Sequence, residues 1–248
     1  MGILSRLLDL RGPASARSCS LEPFQSSDNP SGNTGSTEFE VDGWVTSAFV
    51  AQTLVLLVGV HPFPLLELML MTATVCRLQP PLIFEWGTNI GKSARLFHEI
   101  AQYFRIKTTV HTCDLPDDVD HVEHPHAQRG AMVRGLEGGQ LHQGDGLTTS
   151  LGLWEQAGRP PSPLFFLDGD HSHASVRREI DGILAVVPDP VLLLHDTFLQ
   201  SSDSGYNTGP RQAVEETLAA HPGRFQAVHL GLSLPGMSFL YPFTPQRA

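Results

Sequence analysis

The chain has 248 residues, a length that suits one large α/β domain with an added arm better than a single small module. Its 16 Lys and Arg against 26 Asp and Glu leave a formal charge of −10, which argues against nucleic acid or an anionic membrane surface as a partner. With 41% hydrophobic and 17% charged residues it can bury a sizeable core, and three scattered cysteines, Cys19, Cys76 and Cys113, exclude a disulfide scaffold and fit a reducing, cytoplasmic compartment.

Residues 1–43, rich in Ser, Gly and Pro, read as a flexible or disordered arm. The apolar start of this arm is shorter than a signal-peptide core, and Arg6 stands where myristoylation requires Ser or Thr. No charge occurs from Gly43 to Val60, close to the length of a membrane span. Thr46, Ser47, Gln52 and Thr53 interrupt that run and His61-Pro62 closes it without a basic flank, so we expect no span but a buried or oligomer-facing helix. It opens a helical segment at 44–79, whose second part repeats Leu65, Leu68/Met69, Thr72 and Val75/Cys76 at helical spacing, with Met69 and Met71 assigned to the core.

From residue 80 to 248 short apolar runs alternate with helical stretches. Strands are expected at Leu82–Phe84, Thr108–Cys113, Gln140–His142, Leu164–Leu167 and Val191–Leu194, and an antiparallel pair at Phe225–Leu230 and Met237–Tyr241. Helices are expected at Lys92–Phe104, His126–Leu136, Ser172–Val187 and Arg211–Ala220. This alternation predicts a doubly wound α/β fold with a mostly parallel seven-stranded sheet, a terminal antiparallel strand and helices on both faces. Ligands of such sheets lie at the carboxyl ends of the strands.

The polar residues of interest fall there. After the first strand comes Glu85-Trp86-Gly87-Thr88-Asn89-Ile90-Gly91-Lys92-Ser93, whose glycines allow a tight turn into a helix but match neither GxGxxG nor the phosphate-binding GxxxxGK[ST] loop. Asp114 after the second strand is placed to accept hydrogen bonds from ribose hydroxyls, and Asp145 follows the third, although each such acid also suits a helix cap. Asp168 ends the fourth strand, with Asp170, His171 and His173 behind it, and His195-Asp196 follows the fifth. Carboxylates beside imidazoles offer a site for Mg²⁺ or a similar cation with a base at hand; alternatively, Asp170 or Ser172 caps a helix and His195 is a satisfied core histidine.

Taken in order, EWGTNIGKS, LDGDHSH and LLLHDT resemble the class I S-adenosylmethionine-dependent methyltransferases, and within them the small-molecule O-methyltransferase branch with cephalosporin-hydroxylase-like and macrolide-sugar O-methyltransferases, over Pro62 to Tyr241. The resemblance implies a Rossmann-like fold, S-adenosylmethionine as cofactor and a hydroxyl of a sugar or natural product as methyl acceptor. It implies that Glu85, Gly87 and Gly91 contact the methionine part, with Thr88, Asn89 and Ser93 in the same loop. Asp114 then holds the ribose and Asp145 lies by the adenine. Asp168 and Asp196 match ligands of a divalent cation such as Mg²⁺, with His195 where an acid is more usual, and His171 occupies the place of a base.

Rival readings remain open. A metal-dependent hydrolase is suggested by the Asp/His cluster, but its HxHxDH signature needs Asp and His where Ser175 and Val176 stand. Tyr103-x-x-x-Lys107 has the spacing of a nicotinamide oxidoreductase but precedes the second strand, and a non-catalytic cofactor-binding member is the third alternative. The segments Leu115–Gly139, with His121, His124 and His126, and Gln200–Pro210, with Tyr206 and Asn207, are expected to border the acceptor pocket.

Overall fold

Strands built from Ile, Leu, Phe and Val with almost no interruption are buried on both faces only inside a sheet that helices cover from either side. The computed structural model, which describes residues 30–31, 41–119, 126–204 and 206–242, shows that arrangement. Its strands are β1 (Leu82–Trp86), β2 (Thr109–Asp114), β3 (Gly139–Gln143), β4 (Leu164–Leu167), β5 (Val191–His195), β6 (Phe225–Leu230) and β7 (Met237–Pro242). They form one seven-stranded sheet in the order β3-β2-β1-β4-β5-β7-β6. The pairs from β3 to β5 are parallel, and β7 runs antiparallel to both β5 and β6. The strand order reverses between β1 and β4, so a crevice opens at their carboxyl ends.

Helices α1 (Gly43–Phe49), α2 (Val55–Val58), α3 (Leu65–Leu78) and α4 (Lys92–Tyr103) lie on one face, and α5 (Gly146–Gln156), α6 (His173–Val186) and α7 (Gly209–Ala220) on the other. Asp42 caps α1 through the Trp44 and Val45 N–H groups. A π-helical turn at Val50–Leu54 separates α1 from α2, and Gly59 ends the run with φ +73°. Among the described residues no helix is long and apolar enough to cross a membrane. Phe49, Leu54, Leu68, Met71 and Val75 pack in one core with Ile83, Phe97, Phe166 and Phe239, so the helical segment shares the core of the sheet.

Several expectations need correction. The stretch His126–Leu136 is not an α-helix but a 3₁₀ turn at His126–Gln128 followed by turns. Its N–H groups are drawn outward, with Gly130 N–H donating to Asn89 O (2.6 Å) and Met132 N–H to Ile90 O (2.9 Å), and Gly130 and Gly135 adopt positive φ. Helix α5 was not anticipated: Gly146 and Gly152 and a pair of threonines weaken its propensity, and its signal was the cap, Asp145, which accepts from Thr148 N–H at 2.9 Å. On α3 a single core face was expected, yet Leu65 and Leu66 project outward while Glu67 is buried. Met71 is fully buried and Met69 partly. The arm at 1–43 lies outside the described residues except for 30–31 and 41–43, as do His121 and His124.

Candidate active site

Strands β1, β2, β4 and β5 deliver their last residues to the switch-point crevice, and those residues are Glu85, Asp114, Asp168 and His195 or their immediate neighbours. Two constellations result, one around the loop after β1 and one where β4 meets β5.

In the first, Glu85 is completely buried, and Ser93 Oγ donates to its Oε1 while Oε2 has no hydrogen bond. Burial pushes its carboxyl up to about 8 against the opposing Ser93 and Thr112 hydroxyls. The hydroxyls of Thr88 and Thr112 meet at 2.5 Å across β1 and β2. Gly87 is required by packing: at φ +90° a Cβ there would lie 2.1 Å from Asp168 O. Gly91 (φ +91°) faces Val133 in the same way. Asn89 adopts φ +47° and donates its N–H to Asp114 Oδ2 at 2.7 Å, which ties this loop to the end of β2. Asp114 Oδ1 accepts from Leu115 N–H (2.7 Å) and lies 3.2 Å from Nε of the buried Arg129. Glu85, Gly87, Thr88, Asn89, Gly91, Ser93 and Asp114 are therefore gathered in one connected loop system.

Asp145 stands apart from it. It is the cap of α5 and pairs with Arg178 at 2.5 Å, and although burial works against this, Arg178 and Thr148 hold it down at about 2.

The second constellation is Asp168, His195 and Asp196, one donor atom of each lying within 4.8 Å of the others. His195 Nδ1 is 2.9 Å from Asp168 Oδ1 and 3.4 Å from Asp196 Oδ2. Asp196 sits in the left-handed region (φ +55°), a conformation that places its carboxylate back over the strand end. His171 Nε2 approaches the same pair, 3.1 Å from Asp196 Oδ2 and 3.6 Å from Asp168 Oδ1, and is buried without a well-aligned hydrogen bond. Burial disfavours both charged forms here, but the opposite charges outweigh it: Asp168 and Asp196 lie below the ordinary carboxylate range, His171 lies above the ordinary imidazole value and His195 well above it. The loop after β5 closes over the site: Tyr206 OH donates to Asp196 Oδ1 (2.9 Å), and Asn207 Nδ2 contacts His171 Nδ1 (2.9 Å). Asp170 and Ser172 are local turn and cap residues of α6, with Ser172 accepting from Ser175 N–H.

Sequence reasoning missed Glu67. This carboxylate on α3 is 3% exposed and reaches the far side of His195, with Oε2 3.1 Å from Nε2. The one legible signal was an acid set inside Leu65-Leu66-Glu67-Leu68-Met69-Leu70, where burial demands a partner. Tyr103, by contrast, packs edge-on against Phe104 and beside Phe49 at the end of α4, at the opposite edge of the sheet from the crevice.

Residues 58–230 match the sequence model of the family described as rhamnosyl O-methyltransferase/CmcI. None of the curated proteins matches the chain. Among solved structures it is similar to the O-methyltransferase from Bacillus cereus in complex with S-adenosylhomocysteine, at 18% identity over 80% of this chain and 90% of that one, with a TM-score of 0.53. TomG of Streptomyces achromogenes, an O-methyltransferase of tomaymycin synthesis in complex with S-adenosylmethionine, shares 17% identity over 81% of this chain and 96% of that one, with a TM-score of 0.52. CalS11, a TDP-rhamnose 3'-O-methyltransferase of calicheamicin biosynthesis, shares 12% over 79% of this chain and 86% of that one, with a TM-score of 0.50. These likenesses establish the Rossmann-like methyltransferase fold.

Proposed function

Because the chain belongs to the rhamnosyl O-methyltransferase/CmcI family and is an S-adenosylmethionine-dependent methyltransferase, we propose that it methylates a hydroxyl of a sugar or natural-product type small molecule, assisted by a divalent cation and a histidine base. The observation that carries this reading is the meeting of Asp168, His195 and Asp196 within 4.8 Å beside His171. The acceptor class follows the family description and the sugar and natural-product chemistry named for CalS11 and TomG.

The donor set suits a cation. Glu67, Asp168 and Asp196 bring three carboxylates into one crevice, two of them buried, and without a cation protonated His195 and His171 are what offsets their charge. Asp168, His195 and Asp196 would hold the ion, and the imidazole favours Co²⁺ or Zn²⁺ over Mg²⁺, which prefers an all-oxygen site. When bound, S-adenosylmethionine supplies a methyl group already activated by its sulfonium, and a divalent cation supplies a Lewis acid that makes an adjacent hydroxyl more acidic.

The chain's own residues do the rest. Glu85, Gly87, Thr88, Asn89, Gly91 and Ser93 shape the recess for the methionine end, Asp114 faces the ribose, and Asp145 borders the adenine. His171 takes the acceptor's proton at Nε2. For that, the Asn207 amide, whose Nδ2 lies 2.9 Å from Nδ1, would turn over so that its oxygen accepts from Nδ1–H and the Nε2 lone pair is left free. Tyr206 steers Asp196 by occupying its Oδ1. Alignment of a hydroxyl for in-line attack is then the main catalytic task.

The test is methyl transfer from S-adenosylmethionine to a panel of glycosides and nucleotide sugars, read by mass spectrometry with and without EDTA. Turnover that EDTA abolishes and Mn²⁺ or Mg²⁺ restores is expected. Full turnover in EDTA removes the cation, and no turnover on any hydroxyl compound removes the acceptor class.

A further inference from the structure

Helix α3 carries an acid that no helix of this composition would bury without cause. Glu67 spends both carboxylate oxygens inside the protein: Oε1 accepts the Gly236 N–H at 3.0 Å, and Oε2 lies 3.1 Å from His195 Nε2. A carboxylate can only accept in such a contact, so His195 carries hydrogen on Nε2. Phe63 stands edge-on to the imidazole with ring centres 4.9 Å apart and restricts its rotation. The opposite nitrogen, Nδ1, is thereby aimed at Asp168 and Asp196. Without a cation both nitrogens carry hydrogen, Nδ1 donating to Asp168 Oδ1 at 2.9 Å; a divalent cation taken up by Asp168 and Asp196 would displace the Nδ1 hydrogen and receive that lone pair, while Nε2 stays bonded to Glu67.

We propose that Glu67 is a positioning residue: it fixes His195 as the Nε2–H tautomer and directs the Nδ1 lone pair toward a divalent cation shared with Asp168 and Asp196. This inference rests on the cation reading given above. It makes the helical segment before β1 part of the active site, because α3, the turn at Gly236 before β7 and the end of β5 converge on one carboxylate. Hydrogen-bonding partners of ligating histidines usually change metal affinity about 10–100-fold when removed.

Glu67→Gln is the informative variant. It keeps the shape but offers one acceptor oxygen to two N–H groups, so one of the contacts to Gly236 and His195 must fail. Co²⁺ is titrated into the full-length protein and the variant, followed by calorimetry and by the visible absorption of the bound ion, with S-adenosylmethionine affinity as the control. We expect Co²⁺ binding about 10–100-fold weaker in Glu67→Gln, with an altered absorption band and unchanged cofactor affinity. Equal Co²⁺ affinity and spectrum in the two proteins overturn the proposal while leaving the cation reading intact. Failure of the unmodified protein to bind Co²⁺ overturns both. Should Glu67→Gln not fold, ¹⁵N-histidine spectra of the unmodified protein loaded with Cd²⁺ decide: coupling of the metal to His195 Nδ1 with Nε2 protonated supports the proposal, and Cd²⁺ on Nε2 or a proton retained on Nδ1 overturns it.

Discussion

A carboxyl group with no exposed surface and one oxygen left unbonded, as Glu85 has, resists ionisation, and burial carries it from the ordinary 4.5 to about 8. Below pH 4.5 the folded and unfolded chains both hold this proton, so Glu85 costs nothing. Between 4.5 and about 8 the unfolded chain ionises first and stability falls as pH rises; above 8 the penalty is complete. Glu85→Gln is therefore expected to raise the Tm of the cofactor-free protein at pH 8 and leave it unchanged at pH 4, as a pH series of thermal melts would show. With the positive methionine end of the cofactor at Glu85, as proposed, the preference would reverse, so binding at pH 7 should release a proton, seen by calorimetry in buffers of different ionisation enthalpy and lost in Glu85→Gln. Chemistry at the second constellation separates differently. His171→Ala should lower kcat by about 10²–10⁴-fold with cation binding retained, the usual worth of a positioned base. Asp168→Asn and Asp196→Asn should abolish both turnover and Co²⁺ binding while the affinity for S-adenosylmethionine stays close to that of the unmodified protein.

Short connecting elements hold these groups in register. The turn segment after the 3₁₀ turn gives its N–H groups to Asn89 and Ile90 and its Arg129 to the end of β2, so it supports the loop after β1 instead of forming a helix of its own. Gly87 belongs to the same assembly: its role is the contact between the ends of β1 and β4, where a methyl group would meet Asp168 O at 2.1 Å. Backbone cannot yield as a flexible side chain does. We expect Gly87→Ala to cost at least about 1–3 kcal/mol from the positive φ alone. Because Asp168 would be displaced, the variant should lose cofactor and cation binding together, measured by thermal shift with each ligand. A variant of normal stability that loses only cofactor affinity would make Gly87 a ligand-approach residue instead.

At the scale of the whole molecule the outer side of the helical segment is unusually apolar. Trp44 is 87% exposed and Leu56 79%, and Leu57, Leu65 and Leu66 stand near them in the chain with about half their surface exposed. Exposed apolar area gathered on one segment is more typical of a contact surface than of a monomer's exterior. We expect a homo-oligomer that buries α1 and α2, as the uncharged run suggested, and light scattering coupled to gel filtration should report a mass above 27.0 kDa. Leu56→Glu with Trp44→Glu should return the protein to a monomer of unchanged fold; a monomer at micromolar concentration before any substitution contradicts the expectation.

Periodicity and local chemistry are properties of adjacent residues, and these the chain determined by itself. The seven strands, the alternation with helices, the terminal antiparallel pair and the acids at the strand ends were all legible, because a strand buried on both faces must be apolar along its length and break at a polar residue. Bounds shifted by a residue or two: Glu85, Asp114 and His195 belong to their strands instead of following them. What required tertiary structure was every relation between distant segments. Whether 126–136 became a helix depended on Asn89 and Ile90, and whether Gly87 served a ligand or a neighbour depended on Asp168. Glu67 lies 128 residues from His195, so their pairing left no trace in spacing or composition. Only the fold could bring that buried carboxylate to the imidazole, because the partner that offsets its desolvation stands on β5, far from α3 along the chain.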